Sequence, residues 1–370
     1  MVISSLSTRE FVHKYKKSIV IEFQEERHVL STSPFNGGFR KDLAAVFNHD
    51  ANPGAGMACS MKAATYREHM EIITRELGLD PEKTAGISTA ASMENVSIKT
   101  VTFEDLTVTA IVTGGVEVNG GRVGDTAHYH ERKGQFEKVT FGTINIILHI
   151  DADLPKGTME RTLVTCTEAK TAALQELMAG SNYSRGLATG SGTDGTIIIC
   201  NPKSDLHLTM AGKHSKLGEL IGKAVIPAVK EALFLQSGLC PEMQHSVLRR
   251  LKRFGVSEDK LWETYCGLNK ESSISKPTFL HRIHSIEREN NLVVLTSMVA
   301  HLIDQYDWDL LSFEEIASEI IFIFERISKS KGVDFEMNEL AEHRKDQVVD
   351  DIINIFIKIL ALIGGTTENV

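Results

Sequence analysis

Two polar loops frame the apolar run Thr196–Cys200: Thr189-Gly190-Ser191-Gly192-Thr193-Asp194 before it and Gly212-Lys213-His214-Ser215 after it. His214 carries the side chain that titrates nearest neutral pH. It stands just ahead of Leu217, Leu220, Ile221, Ala224 and Val225, whose spacing predicts a helix with one buried face. The dipole at a helix N-terminus favours the uncharged ring. His214 is therefore the leading acid–base candidate, with a surface or capping histidine as the alternative. Asp194 is the candidate carboxylate, either orienting His214 or activating water, and otherwise a turn residue. Glu219 would orient His214 or satisfy helix amides. Thr189 and Thr193 supply hydroxyls. Thr193 is the nucleophile if catalysis is covalent, a route ranked below water attack because no GxSxG motif is present. Ser215 is expected to cap the helix.

Further candidates lie outside these loops. Glu168 sits with Lys170 in the helical segment TEAK and either enters the site or pairs with a neighbouring cation. Asn36, Asn48, His49 and Asn145 stand at strand ends or inside apolar strands, where a buried amide must find partners. They serve either structure or the recognition of substrate amides. Gly37, Gly38, Gly190 and Gly192 let backbone approach a ligand or simply turn, and Lys213 joins the binding candidates. The spacing Gly190-x-Gly192-x-x-Gly195 imitates a dinucleotide fingerprint but leads into a strand rather than a helix, so that reading is rejected. No P-loop is present. Asp125, His128 and His130 are metal-ligand types at short range in a polar loop, but no metal site is expected there.

The blocks GTINIILHID (142–151), TLVTCTEAKTAALQEL (162–177), ATGSGTDGTIIIC (188–200) and AGKHSKLGELIGKAV (211–225) form an uncommon ordered set. With SPFNGGF (33–39), FNH (47–49), GISTAAS (86–92) and GRVGD (121–125), they resemble the adenosylcobinamide amidohydrolases over about residues 20–235. That family usually reads ATGTGTD where this chain has Ser191, and it varies at Lys213 and Ser215. The resemblance implies hydrolysis of the amide joining the corrin ring's propionyl arm to aminopropanol in cobinamide, leaving a cobyric acid in corrinoid salvage for cobalamin synthesis. Such a reaction needs an activated nucleophile, donors for the oxyanion and an acid for the departing amine. It implies no cofactor, because cobalt enters only within the corrinoid substrate. The DxHxxG signature of histidine-on corrinoid binding is absent, since Asp125 and His128 have the wrong spacing. The competing readings are a non-catalytic corrinoid-binding or delivery module and a hydrolase of another amide.

The remaining expectations come from composition and pattern. The 370 residues predict two domains, a catalytic domain over 1–238 and a helical domain of unassigned role over 239–370. Forty basic against 49 acidic residues, a net charge of −9, argue against nucleic acid or an anionic membrane as partner. Self-association into a homo-oligomer stays open. Five scattered cysteines without CxxC spacing, and an N-terminus without an apolar h-region, predict a cytoplasmic protein.

The expected fold is α+β, a mixed β-sheet with packed helices followed by an all-helical region. Residues 18–31 read as a hairpin. Strands are expected at 45–49, 84–92, 106–116, 142–151 and 196–200, with helices at 57–77, 158–178 and from 216. Residues 117–138 read as a surface loop. Beyond Pro241, amphipathic helices are expected at 242–254, 258–269, 279–303, 312–328 and 337–363.

Overall fold

The computed structural model describes residues 1–54, 61–127, 143–269, 274–335 and 340–366. The fold is α+β, and the chain divides into two units, Met1–Cys240 and Pro241–Val370.

The first unit is built on two mixed sheets. One runs in the order β1 (Val2–Ser5), β2 (Phe11–Tyr15), β3 (Ser18–Glu22), β6 (Ala45–Asp50), β7 (Thr84–Thr89). The other runs β5 (Gly38–Arg40), β4 (His28–Ser31), β13 (Gly195–Cys200), β11 (Ile144–Ile150), β9 (Leu106–Gly114), β8 (Ser97–Phe103). A small separate ladder joins β10 (Gly120–Gly121) to β12 (Gly190–Ser191). The pairs β6–β7 and β11–β13 are parallel.

The sheets stack face to face. Val12, Ile19, Ile21, Val46, Ala85 and Ile87 of one share a core with Val29, Ile111, Ile147, Ile197 and Ile199 of the other. Helix α1 (Tyr66–Glu76) covers the outer face of the first sheet, packing Met70, Ile73 and Leu77 on Val20 and Phe47. Helices α2 (Lys156–Glu176) and α3 (Lys216–Ser237) pack together on the other side, with α3 lying along β8 and β9. The result is four layers, helix, sheet, sheet, helix. Because layers cover both its faces, β11 reads as the nearly unbroken apolar run INIILHI, buried at every position. Its alternation sends Asn145, Ile147 and His149 between the sheets.

The hairpin expected at 18–31 is not formed. β3 pairs with β2 and β6, while β4 pairs with β13 and β5, so the chain crosses from one sheet to the other between them. The run SIVI is buried at all four positions, which an isolated hairpin cannot achieve. Arg27, at the crossing, is buried and pairs with Glu10 at 2.6 Å. The helix expected from residue 57 begins at Tyr66, where Thr65 and Glu68 form a capping box; residues 55–60 lie outside the described set. Within the loop expected at 117–138, Gly120–Gly121 pairs with β12, and residues 128–138 lie outside the described set.

The second unit consists of helices α4 (Pro241–Gln244), α5 (Val247–Leu251), α6 (Glu258–Leu268), α7 (Lys276–Ile286), α8 (Asn290–Asp307), α9 (Phe313–Ser330) and α10 (Lys345–Gly365). They enclose one apolar cluster that includes Leu251, Phe279, Ile303, Phe324 and Phe356. The single helix expected over 279–303 is two, broken where Glu289 turns extended ahead of Asn290. The region expected as 242–254 divides into α4, α5 and a 3₁₀ turn at Lys252–Phe254. Gly364 and Gly365 let α10 approach an aromatic group: a Cβ at Gly364 would come within 2.6 Å of Phe279, and one at Gly365 would strike Tyr265. Arg253 and Asp304, both nearly buried, form a bidentate pair at 2.7 and 2.6 Å. No described helix is long and apolar enough to cross a membrane.

Two stability predictions follow from this packing. Asp304→Ala leaves the Arg253 guanidinium buried without its partner and should cost about 3–5 kcal/mol. Urea unfolding followed by tryptophan fluorescence reads this unit alone, because both tryptophans, Trp262 and Trp308, lie in it. In the first unit, burial pushes the His149 imidazole down to about 4, against an ordinary value near 6.5. The unfolded chain therefore binds the extra proton between those values. The His149 contribution is fully present above about pH 6.5 and falls as pH drops to about 4, a loss of about 3 kcal/mol. In His149→Gln, the slope of stability against pH in that window should be shallower than wild type by close to one proton, read from denaturant midpoints.

Candidate active site

The residues that could do chemistry gather where the carboxyl ends of β6 and β7 meet the amino ends of β11 and β13. The end of β6 reads Phe47-Asn48-His49-Asp50, and strand alternation sends Asn48 between the sheets while His49 faces α1. Asn48 Nδ2 donates to Thr113 Oγ1 at 2.8 Å. Asn145 Nδ2 donates to Asn48 Oδ1 at 2.7 Å and to the Ser88 carbonyl at 3.1 Å. The Gly195 amide donates to Asn145 Oδ1 at 3.1 Å. Two buried amides thus tie β6, β7, β9, β11 and β13 at one end of the stack.

Asp194 extends this chain into the loop before β13. Its Oδ1 accepts from the Ile144 amide at 2.9 Å and from Ser191 Oγ at 2.7 Å, and Lys170 of α2 donates to Oδ2. A Cβ at Gly190 would collide with the Asp194 carboxylate and come within 2.7 Å of Lys170 Nζ, so only glycine lets the loop close over the ion pair. The loop is held elsewhere too. Thr189 Oγ1 accepts from the Val123 amide at 2.9 Å, Thr171 donates to the Thr189 carbonyl at 3.1 Å, and Thr143 donates to the Thr193 carbonyl. Gly192 and the Thr193 side chain are exposed at its tip.

His49 lies beside this network. It is buried, its Nδ1 is 2.8 Å from Ser18 Oγ, and its ring centroid is 6.4 Å from that of His69 on α1. Burial, followed by the charge of His69, pushes the His49 imidazole down to about 4, so it is neutral at physiological pH. Burial raises the neighbouring Asp50 carboxyl.

His214 and Asp194, expected to pair, do not. Each is fixed to a different stretch of α2: Lys170 binds Asp194, whereas Thr165 holds the Ala211 carbonyl at 2.7 Å and Arg161 lies against Gly212. Five to nine helical residues separate those anchors, roughly 8–14 Å along the axis. His214 is exposed, and Ser215 caps α3 by accepting from the Gly218 amide at 3.1 Å. Glu219 does not orient His214, because its carboxylate is committed to Lys216 and Lys223, each at 2.6 Å. Those lysines hold it down to about 2. Glu168 pairs with Lys213 at 3.3 Å, with Arg161 further off at 3.9 Å. A groove of about 500 Å³ runs along α2, lined by Leu163, Val164, Thr167, Glu168, Thr171, Ala172 and Gln175.

Asn36 ties its loop to the amino end of β7, donating to the carbonyls of Pro81 and Thr84 at 2.6 and 2.7 Å. Gly37 and Gly38 complete that turn, with Gly38 at φ 77°. The metal reading of His128 and His130 falls outside the described residues. Among the described residues no group of three or more histidine, cysteine or acidic side chains could hold a metal ion. Cys166 and Cys200 are buried free thiols pushed up to about 12 by desolvation, which makes them poor nucleophiles. Sequence reasoning passed over Ser18 and His69. The available signal was a histidine at 69 on the same helical stripe as Met70 and Ile73.

Comparison with known proteins bears on the same part of the chain. An uncharacterized protein of Methanocaldococcus jannaschii is 36% identical over 231 residues, 60% of this chain and 87% of that protein. A Methanosarcina mazei protein named adenosylcobinamide amidohydrolase is 31% identical over 176 residues, 45% of this chain and 75% of its own. The sequence model of the adenosylcobinamide amidohydrolases matches residues 3–241. Over that span, which takes in the two sheets, their helices and the buried amide network, the chain belongs to the adenosylcobinamide amidohydrolase family.

Proposed function

We propose that this protein hydrolyses the aminopropanol amide of adenosylcobinamide or cobinamide, releasing aminopropanol and leaving a cobyric acid. The observation that carries this reading is the family match over residues 3–241, which takes in the Asp194 loop and the buried amide network; the spacing of the sheets agrees with it. Stacked sheets lie about 10 Å apart. A ligand at this end of the fold that meets both His49, on the outer side of one sheet, and the Asp194 loop, at the other, must be broad. A corrin macrocycle with amide-bearing arms has that breadth, and the loop offers backbone and hydroxyl groups suited to amides. Family membership supports the same substrate class. No resident cofactor is invoked, and cobalt arrives inside the substrate.

In this reading His49 is the general base, because it is uncharged at neutral pH and stands at the carboxyl end of a parallel strand pair, where polar loops gather. His214, exposed and distant from Asp194, gives way to it. The Asp194–Lys170 pair holds the loop in shape rather than attacking the amide. Water is the nucleophile. The second unit has no assigned step, and the reaction uses residues of the first alone.

Incubation with adenosylcobinamide should release aminopropanol. Binding without release would favour a corrinoid carrier, and release from another amide alone would redirect the substrate assignment. His49→Gln should lower kcat by about 10²–10⁴-fold. Gly190→Ala, by prising the loop from its ion pair, should lower kcat/KM by about 10²-fold. A base must be deprotonated to act, so kcat/KM should hold from neutral pH to about 5 and fall through about pH 4, where His49 gains its proton. A pH profile whose acid limb lies near 6.5 would assign the base elsewhere.

A further inference from the structure

The buried face of α1 carries a histidine that the scheme above leaves unused. His69 is 2% exposed, and its ring faces that of His49 with centroids 6.4 Å apart and planes at 58°. The backbone N–H of Lys62 donates to His69 Nδ1 at 3.0 Å. A backbone N–H can only donate, so Nδ1 holds its lone pair and the neutral ring carries its proton on Nε2. Burial, then the charge of Lys62, disfavours a second proton. That Nε2–H is buried and has no hydrogen-bond partner among the described residues, an uncommon state for a polar group inside a protein.

His49 has the opposite arrangement. Ser18 Oγ lies 3.3 Å from the Lys16 carbonyl and 2.8 Å from His49 Nδ1; with the Ser18 proton given to that carbonyl, its oxygen accepts from His49 Nδ1–H. Nε2 of His49 is then the bare nitrogen. One ring presents a donor and the other a lone pair. Two hydrogen bonds of about 2.8–3.0 Å meeting at a single oxygen hold imidazole centroids about 6–7 Å apart.

We infer that His69 is a second catalytic residue of this site, holding the oxygen of the attacking water through its Nε2–H while His49 Nε2 takes that water's proton. The inference rests on the proposed hydrolysis and deepens it. The water oxygen forms a bond to the amide carbonyl carbon as His49 becomes protonated. Collapse of the tetrahedral adduct breaks the C–N bond, and the proton on His49 passes to the leaving nitrogen. The products are a carboxylic acid and a free amine, with no electron transferred. The same tautomer argues against a metal on His69 Nε2, which would require the ring proton on Nδ1, against the Lys62 N–H.

Two measurements on the full chain test this. In ¹⁵N-histidine-labelled protein at neutral pH and without substrate, both rings should be neutral, His69 with its proton on Nε2 and His49 on Nδ1. With adenosylcobinamide, His69→Phe should lower kcat about 10²-fold while KM stays within about threefold, the signature of a lost transition-state donor rather than a loosened pocket. His69→Gln, which keeps an N–H donor, should recover about tenfold over His69→Phe. Thermal melts establish that both variants are folded. A proton on His69 Nδ1, or a folded His69→Phe with wild-type kcat, overturns the inference while leaving the proposed reaction in place. A wild-type chain with the stated tautomers that releases no aminopropanol removes the reaction, and this role with it.

Discussion

The contact between Asn48 and Asn145 is the constraint on which the rest of the first unit depends. It is a hydrogen bond between side chains of two different sheets, at one end of a layer whose middle is aliphatic. An unpaired buried amide costs about 1–3 kcal/mol, so each asparagine commits the other's strand. A slip of either strand by one residue would turn its asparagine to the wrong face and leave both amides without partners. The apolar residues between the sheets would tolerate some sliding. The amides do not, and they fix which ends of β6, β7, β11 and β13 meet.

The opposite end of the inter-sheet layer is closed by a different polar group. His149 Nε2 lies 2.8 Å from Thr8 Oγ1, Thr8 donates to Glu10, and Glu10 pairs with Arg27 at the crossing between sheets. The middle of the layer is therefore apolar, and each end is pinned by contacts between buried polar side chains, although His149 Nδ1 and Arg27 Nε are without a hydrogen-bond partner among the described residues. The two ends differ in what they can do. The Glu10–Arg27 end binds its charges to each other. The Asn48 end leads outward, through Asp194 to a glycine-rich loop and along β6 to a neutral histidine pair.

Much of this was legible in the sequence because burial writes simple patterns. The run INIILHI read as a buried strand, and Asn145 stood in it as an amide that had to find a partner. Ser215 was readable as a cap because capping is local. The hairpin at 18–31 was misread because a two-residue period specifies a strand but not its partner, and the charged stretch between the runs marks a crossing as well as a turn. The pairing of His214 with Asp194 failed for a related reason. Both sit in motifs adjacent to the same helix, yet the sequence does not say which turn of that helix each one touches. Lys170 and Arg161 decide that, and each looks like an ordinary helical cation until the fold assigns it a neighbour.

The position of the family match gives the last step. It ends at residue 241, and the first compact unit ends at Cys240. Every residue in the proposed chemistry, from Ser18 to Asp194, falls inside that unit, whose layers bury a core of their own. The second unit encloses a separate core and anchors it with its own buried ion pair, Arg253–Asp304. Family membership is therefore carried by the unit that holds Asn48 against Asn145, and the helices after Pro241 follow the matched stretch in the chain.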